Sequence, residues 1–175
     1  MEEAAQIAKQ IDHDAIDRIA ARLSVLKGRC YIIGLGGSMA NAIHMAADFG
    51  KLCNIDAQAF SNIADLSARA NDEGWNTIFD GFLQHATKYD ALFVLYVGGG
   101  APMVSYPIVM AIDSFPGDIF CIVGPMGGHT AAHADICIKV PGVNMKHVTP
   151  HTEAFQAVVW HALFSHPLLQ KNKTK

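Results

Sequence analysis

An apolar run that leads into a glycine turn and then into a helical pattern constrains the fold of this chain more than any other feature. Residues 31–33 (YII) precede the turn at 34–38 (GLGGS), and residues 39–48 have a helical composition. Glycines let the backbone take positive φ angles and approach a ligand closely, and the first amides of a helix have no intrahelical acceptors. The pattern therefore predicts a strand, a turn and a helix whose start can bind an anion.

Polar side chains in this helix and in a later one form the most informative set in the chain. The Ser38 hydroxyl can either cap the first helix or donate to a phosphate oxygen. His44 and Asp48 are four residues apart and share one helix face. Glu153 and His161 are eight residues apart, which places them within one quadrant of a second helix.

Pairs of histidine and carboxylate at this spacing suit either a divalent metal or proton transfer, although each residue taken alone also suits a structural role. A shared site requires both helices to face the same region, which their periodicity does not establish.

Strand and helix patterns alternate along the whole chain. Apolar runs predict strands at 31–33, 57–60, 91–96, 119–123 and 136–140. Helical patterns lie between them, with a resumed helical period at 75–83, a helix from about Ala101 to Ile112 and a final helix at about 152–163. This alternation predicts an α/β fold, a three-layer sandwich around a five-stranded, mostly parallel sheet.

The ends of the chain carry two further expectations. Residues 2–27 read as one long amphipathic helix, with a break indicated near Asp12, that covers the sheet or packs on a neighbouring subunit. Residues 168–175 form a polar tail, which we expect to fray from Lys171 onward. The length of 175 residues fits a single domain spanning 1–175.

Composition excludes several classes of function. Only 17% of the residues are charged while 51% are hydrophobic, which predicts a homo-oligomer that covers part of this apolar surface. The net charge of −3 and the scattered lysines and arginines exclude a nucleic-acid-binding footprint. The acidic start lacks a signal-peptide pattern, and the uncharged stretch 92–112 is interrupted by glycines and prolines. We therefore expect a cytoplasmic protein without a membrane segment.

A glycine turn after the first strand also raises the alternative of dinucleotide binding. Met39 stands where the third glycine of the fingerprint belongs, and Asp56, a candidate ribose ligand, follows at a tolerable distance in a weak strand. No nucleotide cofactor is expected.

Three stretches carry a resemblance to a known family. They are residues 34–48 (GLGGSMANAIHMAAD), residues 71–79 (NDEGWNTIF) and residues 158–161 (VVWH). Together they resemble the sugar isomerase (SIS) domain family, and most closely the sedoheptulose-7-phosphate isomerases, also called phosphoheptose isomerases. The resemblance extends from the leading helix to His161.

The resemblance implies a homotetramer with active sites at subunit contacts, which interconverts a ketose phosphate and an aldose phosphate. A zinc ion is often present in the family. By matching positions, the implied substrate loop is Gly36, Gly37 and Ser38, and the implied substrate contacts include Asn71, Asp72 and Glu153. The implied zinc ligands are His44, Asp48, Glu153 and His161.

The chain also departs from the family pattern. Leu35 replaces an asparagine, Asp48 replaces a glutamate, and Glu153 replaces a glutamine. The family's second phosphate loop is rich in serine and threonine, whereas residues 97–101 here are VGGGA. Backbone amides at Gly98, Gly99 and Gly100 would then have to bind the phosphate without hydroxyl groups.

The resulting hypothesis is a phosphosugar aldose–ketose isomerase that acts on a heptulose phosphate. Asp48 is the predicted base and His161 the opposing acid of an enediol proton transfer, with zinc as an optional cation. The alternative is a non-catalytic SIS protein that binds a phosphosugar or a partner protein. The loss of hydroxyl groups from the second loop favours this alternative, whereas the set of carboxylates and histidines favours the enzyme.

Overall fold

A parallel sheet of five strands forms the centre of the molecule in a computed structural model, which describes residues 1–100 and 105–173. The strands are β1 (Cys30–Gly34), β2 (Ala57–Ala59), β3 (Ala91–Tyr96), β4 (Asp118–Val123) and β5 (Ile136–Lys139). They are ordered β2-β1-β3-β4-β5, and every neighbouring pair is parallel. The predicted fold class is confirmed.

The strand order directs attention to one edge of the sheet. β1 lies between β2 and β3, with Gly34 in register with Leu95, so the order reverses at the β1–β3 pair. In open α/β sheets, ligands bind beyond the carboxyl ends of the strands at such a reversal. The glycine turn after β1 and the triple glycine after β3 both lie at this edge.

Eight α-helices surround the sheet within the described residues: α1 (Glu2–Ala8), α2 (His13–Ser24), α3 (Gly37–Cys53), α4 (Ile63–Asp72), α5 (Asp80–Leu83), α6 (Tyr106–Ser114), α7 (Gly128–His133) and α8 (Val148–Phe164). Short 3-10 turns lie at Trp75–Thr77 and Met145–His147. Helices α1, α2, α3 and α8 share one apolar core with the sheet, and α4 to α7 cover the other core. The strands β1, β3 and β4 are apolar and nearly fully buried because both of their faces are covered.

The prediction of one long N-terminal helix is wrong, because two short helices stand in its place. α1 ends at Ala8 and α2 begins at His13. Asp12 is the N-cap of α2, where its carboxylate accepts a hydrogen bond from the Ala15 amide at 2.9 Å. A side chain that satisfies a free helix amide starts a new helix, so the break falls where the sequence indicated it.

The expectation of a frayed polar tail is also wrong for the part that the structure describes. The amides of Lys171 and Asn172 donate to the Leu52 carbonyl at 2.8 and 3.0 Å, and Asn172 Nδ2 donates to the Lys51 carbonyl at 2.8 Å. Leu169 is buried. These bonds anchor the tail to the carbonyls at the end of α3, while residues 174 and 175 lie outside the described residues.

Three predicted helices have different bounds in the structure. The helical period at 75–83 is divided into a 3-10 turn and α5. The start predicted at Ala101 lies outside the described residues, and α6 begins at Tyr106. α8 begins four residues before the predicted start at residue 152. None of the described helices is both long enough and apolar enough to cross a membrane.

Candidate functional site

Helices α3 and α8 carry the candidate site, and they lie side by side with the same direction. Ser38 near the start of α3 contacts Gln156 of α8, while Asp48 farther along α3 contacts Trp160 of α8. The contacting residues have increasing numbers in both helices, so the two helices are parallel. The parallel arrangement brings one face of each helix together over several turns.

Three of the predicted site residues meet at this helix pair. Asp48 Oδ2 lies 3.5 Å from His44 Nε2 and 3.8 Å from His161 Nε2. The two imidazole rings are 5.9 Å apart between centroids and nearly perpendicular, at 85°. The Asp48 side chain is only 17% exposed, whereas those of His44 and His161 are 61% and 46% exposed. The result is a recessed carboxylate beneath two accessible imidazoles, which we call the three-residue cluster.

Two further contacts fix the orientation of this cluster. Trp160, which is buried, donates from Nε1 to Asp48 Oδ2 at 3.3 Å, and its ring stacks on that of His161. His161 Nδ1 lies 2.6 Å from the Ala157 carbonyl, which can only accept a hydrogen bond. In the neutral ring the proton is therefore on Nδ1, and His161 Nε2 has a lone pair on the side of Asp48.

The donor set of the three-residue cluster fits a zinc-class ion. One carboxylate oxygen and two imidazole nitrogens lie within 4.8 Å of one another. Imidazole and carboxylate are common zinc ligands, and a ligating histidine normally donates its other ring N–H to a carbonyl, as His161 does to Ala157. In the same way, the Trp160 N–H would orient the Asp48 carboxylate as a ligand.

The carboxylate of Glu153 lies at the other end of the helix pair. A Cβ atom added at Gly37 would lie 2.5 Å from Glu153 Oε1, so the carboxylate covers the first turn of α3. A helix start favours a negative charge. Glu153 does not belong to the three-residue cluster, and it lies beside the glycine turn that was expected to bind substrate.

A buried polar network joins the beginnings of α3 and α8, and it was missed by the sequence analysis. Gln156 Nε2 donates to Ser38 Oγ at 3.0 Å, and Asn41 Nδ2 donates to Gln156 Oε1 and to the Glu153 carbonyl, each at 2.9 Å. Ser38 and Gln156 are fully buried. The N-cap of α3 is Gly36, and Ser38 lies inside the helix facing α8.

The missed residues left a weak signal in the sequence. Gln156 and Asn41 occupy helix positions one turn away from Glu153 and His44 respectively, on faces that also carry apolar residues. A polar residue on such a face needs a partner, and so does the N–H of a buried tryptophan such as Trp160. The sequence therefore indicates that these polar groups need hydrogen-bond partners, but it does not identify the partners.

The two glycine loops differ in what they expose. Gly36 and Gly37 are exposed, and Gly36 has a φ angle of +61° with open space where a side chain would stand. In the second loop Gly98 is exposed, whereas Gly99 and Gly100 are buried with φ angles of +64° and +82°.

Gly99 is held by the start of α7 and by the residue that precedes it. Its carbonyl accepts a hydrogen bond from the Thr130 amide at 2.9 Å, and a Cβ atom at Gly99 would collide with the Gly127 carbonyl. Glycine at this position therefore serves packing as well as backbone freedom. Ala101, the last residue of the predicted phosphate loop, lies outside the described residues.

Asn71 and Asp72 lie apart from the three-residue cluster. They are the last two residues of α4, both exposed, and Asn71 Nδ2 donates to Asp72 Oδ1 at 2.6 Å. α4 covers the opposite face of the sheet from α3 and α8. No hydrogen bond within residues 1–100 and 105–173 joins this pair to the cluster.

Asp56, the candidate ribose ligand, lies at the edge of the sheet opposite to the glycine turn. It directly precedes β2 and forms an ion pair with Arg29, whose Nη2 lies 3.0 Å from Asp56 Oδ2. A ribose ligand would have to lie at the carboxyl end of β2. The position of Asp56 therefore contradicts the dinucleotide reading of the glycine turn.

Comparisons with known proteins relate this chain to phosphoheptose isomerases. No protein-family model matches the chain. A phosphoheptose isomerase from Mycobacterium bovis is 30% identical over 149 residues, which cover 78% of this chain and 75% of that protein. A phosphoheptose isomerase from Rhodospirillum rubrum is 29% identical over 143 residues, covering 78% of this chain and 73% of that protein.

A solved structure gives the same result at the level of the fold. The phosphoheptose isomerase of Neisseria gonorrhoeae superposes with a TM-score of 0.78 at 24% identity, covering 93% of this chain and 89% of that one. The chain therefore belongs to the sugar isomerase (SIS) family and, within it, to the phosphoheptose isomerases.

Proposed function

We propose that this chain is an aldose–ketose isomerase of sugar phosphates, with a ketoheptose phosphate such as sedoheptulose 7-phosphate as its substrate. The observation that carries the proposal is the meeting of Asp48 with His161 and His44 across two helices that are far apart in the sequence. The relatives named phosphoheptose isomerase support the choice of substrate class.

The proposed reaction moves one proton between neighbouring carbons. Asp48 takes a proton from C1 of the ketose while His161, protonated at Nε2, donates a proton to the C2 oxygen, which gives the enediol. Asp48 then returns its proton to C2, and His161 Nε2 takes the proton from the C1 oxygen. The product is the aldose, and both side chains regain their starting states.

In a zinc-bound form, the three-residue cluster would hold the ion, and His161 Nε2 would then be a ligand rather than the proton donor. Glu153, the fourth predicted ligand, lies at the other end of the helix pair. A bound divalent cation stabilises negative charge that develops on the substrate oxygens. Asp48 is held by Trp160, and His161 by the Ala157 carbonyl, so these ligands are oriented by the protein itself.

Backbone amides would bind the phosphate group. Gly36 and Gly37 are exposed at the start of α3, a 17-residue helix, and a helix start attracts phosphate. Gly98, Gly99 and Gly100 follow β3 at the same edge of the sheet, and the exposed Gly98 supports a second contact from the amides of this loop. Asn71, Asp72 and Glu153 remain predicted side-chain contacts, whereas the Ser38 hydroxyl is buried and would have to leave Gln156 to reach a substrate.

The openness of the site supports a homo-oligomer, either a tetramer or a dimer. His44 and His161 are widely exposed, and the apolar side chains of Ile43 and Val158 on the same two helices are 43% and 53% exposed. An enediol must be protected from water, which a second copy over α3 and α8 would provide. We further propose that residues 1–175 form one SIS domain of a cytoplasmic protein.

An assay of turnover with matched variants tests the proposal. Purified protein is incubated with sedoheptulose 7-phosphate, and the aldose product is detected after separation. We expect Asp48→Asn and His161→Ala to lower kcat at least about 100-fold, the range of general acid–base catalysis, while the fold is retained. The control His13→Ala changes an exposed histidine at the start of α2 and should leave kcat unchanged.

The same assay separates the enzyme from a non-catalytic phosphosugar-binding protein. Loss of the hydroxyl groups from the second loop favours that second candidate. Calorimetric binding of sedoheptulose 7-phosphate by the native protein without formation of an aldose, in the presence of zinc, would establish it. Equal turnover by the native protein and Asp48→Asn would instead contradict the assigned catalytic roles.

A further inference from the structure

We propose that Glu3, His147 and His151 form a second divalent-metal site, suited to a zinc-class ion, that joins α1 to the start of α8. These three residues, called the N-terminal cluster below, are separate from the three-residue cluster. His151 and His161 are ten residues apart on α8, which is about 15 Å along a helix axis. The proposal does not depend on the catalytic function.

The ligating atoms of the N-terminal cluster converge. Glu3 Oε2 lies 2.9 Å from His147 Nδ1 and 2.6 Å from His151 Nε2, and all the ligating atoms are within 4.8 Å of one another. The two histidines are four residues apart, a spacing that places both on one face of a helix turn. Two imidazoles and one carboxylate also form the protein part of known zinc sites that keep a position for another ligand.

The orientation of the rings allows both histidines to bind one ion. The lone pair of an imidazole nitrogen lies in the ring plane, so two rings share an ion when these planes intersect near it. The rings of His147 and His151 are at 77° to each other with centroids 5.8 Å apart. This arrangement resembles that of His44 and His161, whose rings are at 85°.

Hydrogen bonds alone do not satisfy the contacts of His147. Its Nδ1 is 2.9 Å from Glu3 Oε2, an acceptor, and 3.1 Å from Asn144 Nδ2, a donor. With a proton on Nδ1, His147 can donate to the Glu3 carboxylate, but two donors then face each other at the Asn144 amide. Without the proton, Nδ1 can accept from Asn144, but two acceptors then face each other at Glu3. A cation bound by both Nδ1 and Oε2 removes the conflict, because both lone pairs then point at the ion.

Exchanging the amide oxygen and nitrogen of Asn144 does not resolve the conflict either. Nδ2 donates to Glu3 Oε1 at 2.6 Å, and Oδ1 accepts from the Lys146 amide at 3.0 Å. The exchange would place two oxygens against each other and break the second bond. The orientation of the Asn144 amide is therefore fixed. It donates to Glu3 Oε1 and so orients the carboxylate, whose other oxygen, Oε2, faces the two histidines.

A third group of the same composition provides the matched control. Asp113, His129 and His133 also lie within 4.8 Å, with the same four-residue spacing between the histidines. Their rings are stacked at 22° with centroids 3.9 Å apart, so the in-plane lone pairs run nearly parallel and do not meet. His133 donates from Nδ1 to the His129 carbonyl at 2.9 Å, as His161 does to the Ala157 carbonyl, so the difference between the groups lies in the orientation of the rings. This group is expected to bind zinc far more weakly.

Metal stoichiometry in untagged full-length protein tests the inference. The native protein and three double variants are dialysed to equilibrium against Zn²⁺, and bound zinc is measured by elemental analysis. His147→Ala/His151→Ala should bind one ion fewer per chain than the native protein. His129→Ala/His133→Ala should match the native protein, and His44→Ala/His161→Ala should still bind at the N-terminal cluster.

A conservative substitution and a stability readout complete the test. Glu3→Gln keeps the size of the side chain but removes its charge, and it should weaken the second zinc equivalent at least tenfold. Zinc should raise the melting temperature of His44→Ala/His161→Ala but not that of a variant that also lacks His147 and His151. Equal zinc content in the native protein and folded His147→Ala/His151→Ala would overturn the proposal, as would equal losses in the His129→Ala/His133→Ala control.

Discussion

At the scale of single residues, Asp48 contacts its three neighbours through only one of its oxygens. His44, His161 and Trp160 all face Oδ2. Because the side chain is one methylene shorter than glutamate, its position depends on the helix that carries it and on the Trp160 N–H. Trp160 is therefore a positioning residue of the proposed reaction, although it need not touch the substrate.

Trp160→Phe should lower kcat about tenfold and leave KM nearly unchanged, because it removes the N–H that orients Asp48 while keeping an aromatic ring beside His161. Steady-state kinetics measure both constants. Trp75→Phe is the matched control, since Trp75 is 45% exposed in a 3-10 turn on the opposite side of the sheet. A KM effect alone would show that Trp160 acts on substrate binding.

Asp90 illustrates a structural carboxylate in the same chain. It accepts hydrogen bonds from the amides of Arg29 and Thr87 and from the Thr87 hydroxyl, and so ties the beginnings of β1 and β3 together. Burial raises the pKa of Asp90, but the hydrogen bonds to Arg29 and Thr87 outweigh it, so the pKa lies below its ordinary value.

Asp90→Asn should reduce the free energy of unfolding at pH 7 by roughly 2 to 3 kcal/mol, since an amide cannot accept all of these bonds. A lowered pKa in the folded state contributes stability above the unfolded-state pKa, and this contribution is lost as the pH falls through the folded-state value. The difference between native protein and variant should therefore shrink as the pH is lowered below about 4.

Urea unfolding at pH 7 and at successively lower pH measures this difference. Asp80→Asn, which changes an exposed carboxylate at the start of α5, is the control and should show little effect at pH 7. A deficit for Asp90→Asn that stays constant on acidification would contradict the role of its charge.

At the scale of elements, the joint between α3 and α8 determines the geometry of the site. Its upper end is the polar network of Ser38, Asn41 and Gln156, and its lower end is the three-residue cluster. Since the network is buried, its hydrogen bonds specify how one helix is aligned against the other.

Gln156→Leu should lower the free energy of unfolding by roughly 2 to 4 kcal/mol, because it leaves the buried Ser38 hydroxyl and the Asn41 amide group without their partner. Chemical denaturation measures the effect. Ser38→Ala/Gln156→Leu should cost less than the sum of the two single variants, because the double variant no longer buries an unpaired hydroxyl. Strict additivity would show that the two side chains act independently.

Some elements were predictable from the sequence for clear physical reasons. β1, β3 and β4 are buried on both faces, so each appears as an uninterrupted apolar run. At the N-terminus the sequence indicated a break near Asp12 but still read as one helix, because the apolar spacing continues across Asp12 while the start of α2 depends on a capping hydrogen bond. The anchored tail was missed because polar residues that bind carbonyls of α3 have the same hydropathy as solvated ones.

The site itself was predictable in part. Helical spacing paired His44 with Asp48 and Glu153 with His161, and the resemblance to the SIS family put the four residues together. The positions of Trp160 and Gln156 and the separation of Glu153 from the cluster depend on how α8 lies against α3. Spacing within one helix contains no information on this alignment.

At the scale of the whole molecule, the proposed oligomer connects surface composition with activity. Val158→Glu places a charge on the exposed apolar surface of α8, without touching the cluster, and should both reduce the molar mass in solution and lower turnover at least tenfold. Light scattering after gel filtration measures the mass. Val25→Glu is the control, because Val25 is 70% exposed at the end of α2. A monomeric variant with full activity would contradict the proposal that the active site requires a second copy of the chain.

The position of α8 in the chain also determines when the site can first exist. Asp48 is in the helix that follows the first strand, whereas His161 and Trp160 are in a helix that follows every strand of the sheet. During synthesis the carboxylate therefore leaves the ribosome long before the groups that orient it, and domains complete their folding only as the chain emerges. A nascent chain that already contains all five strands still lacks the imidazole opposite Asp48, so the proposed reaction requires folding to be nearly complete.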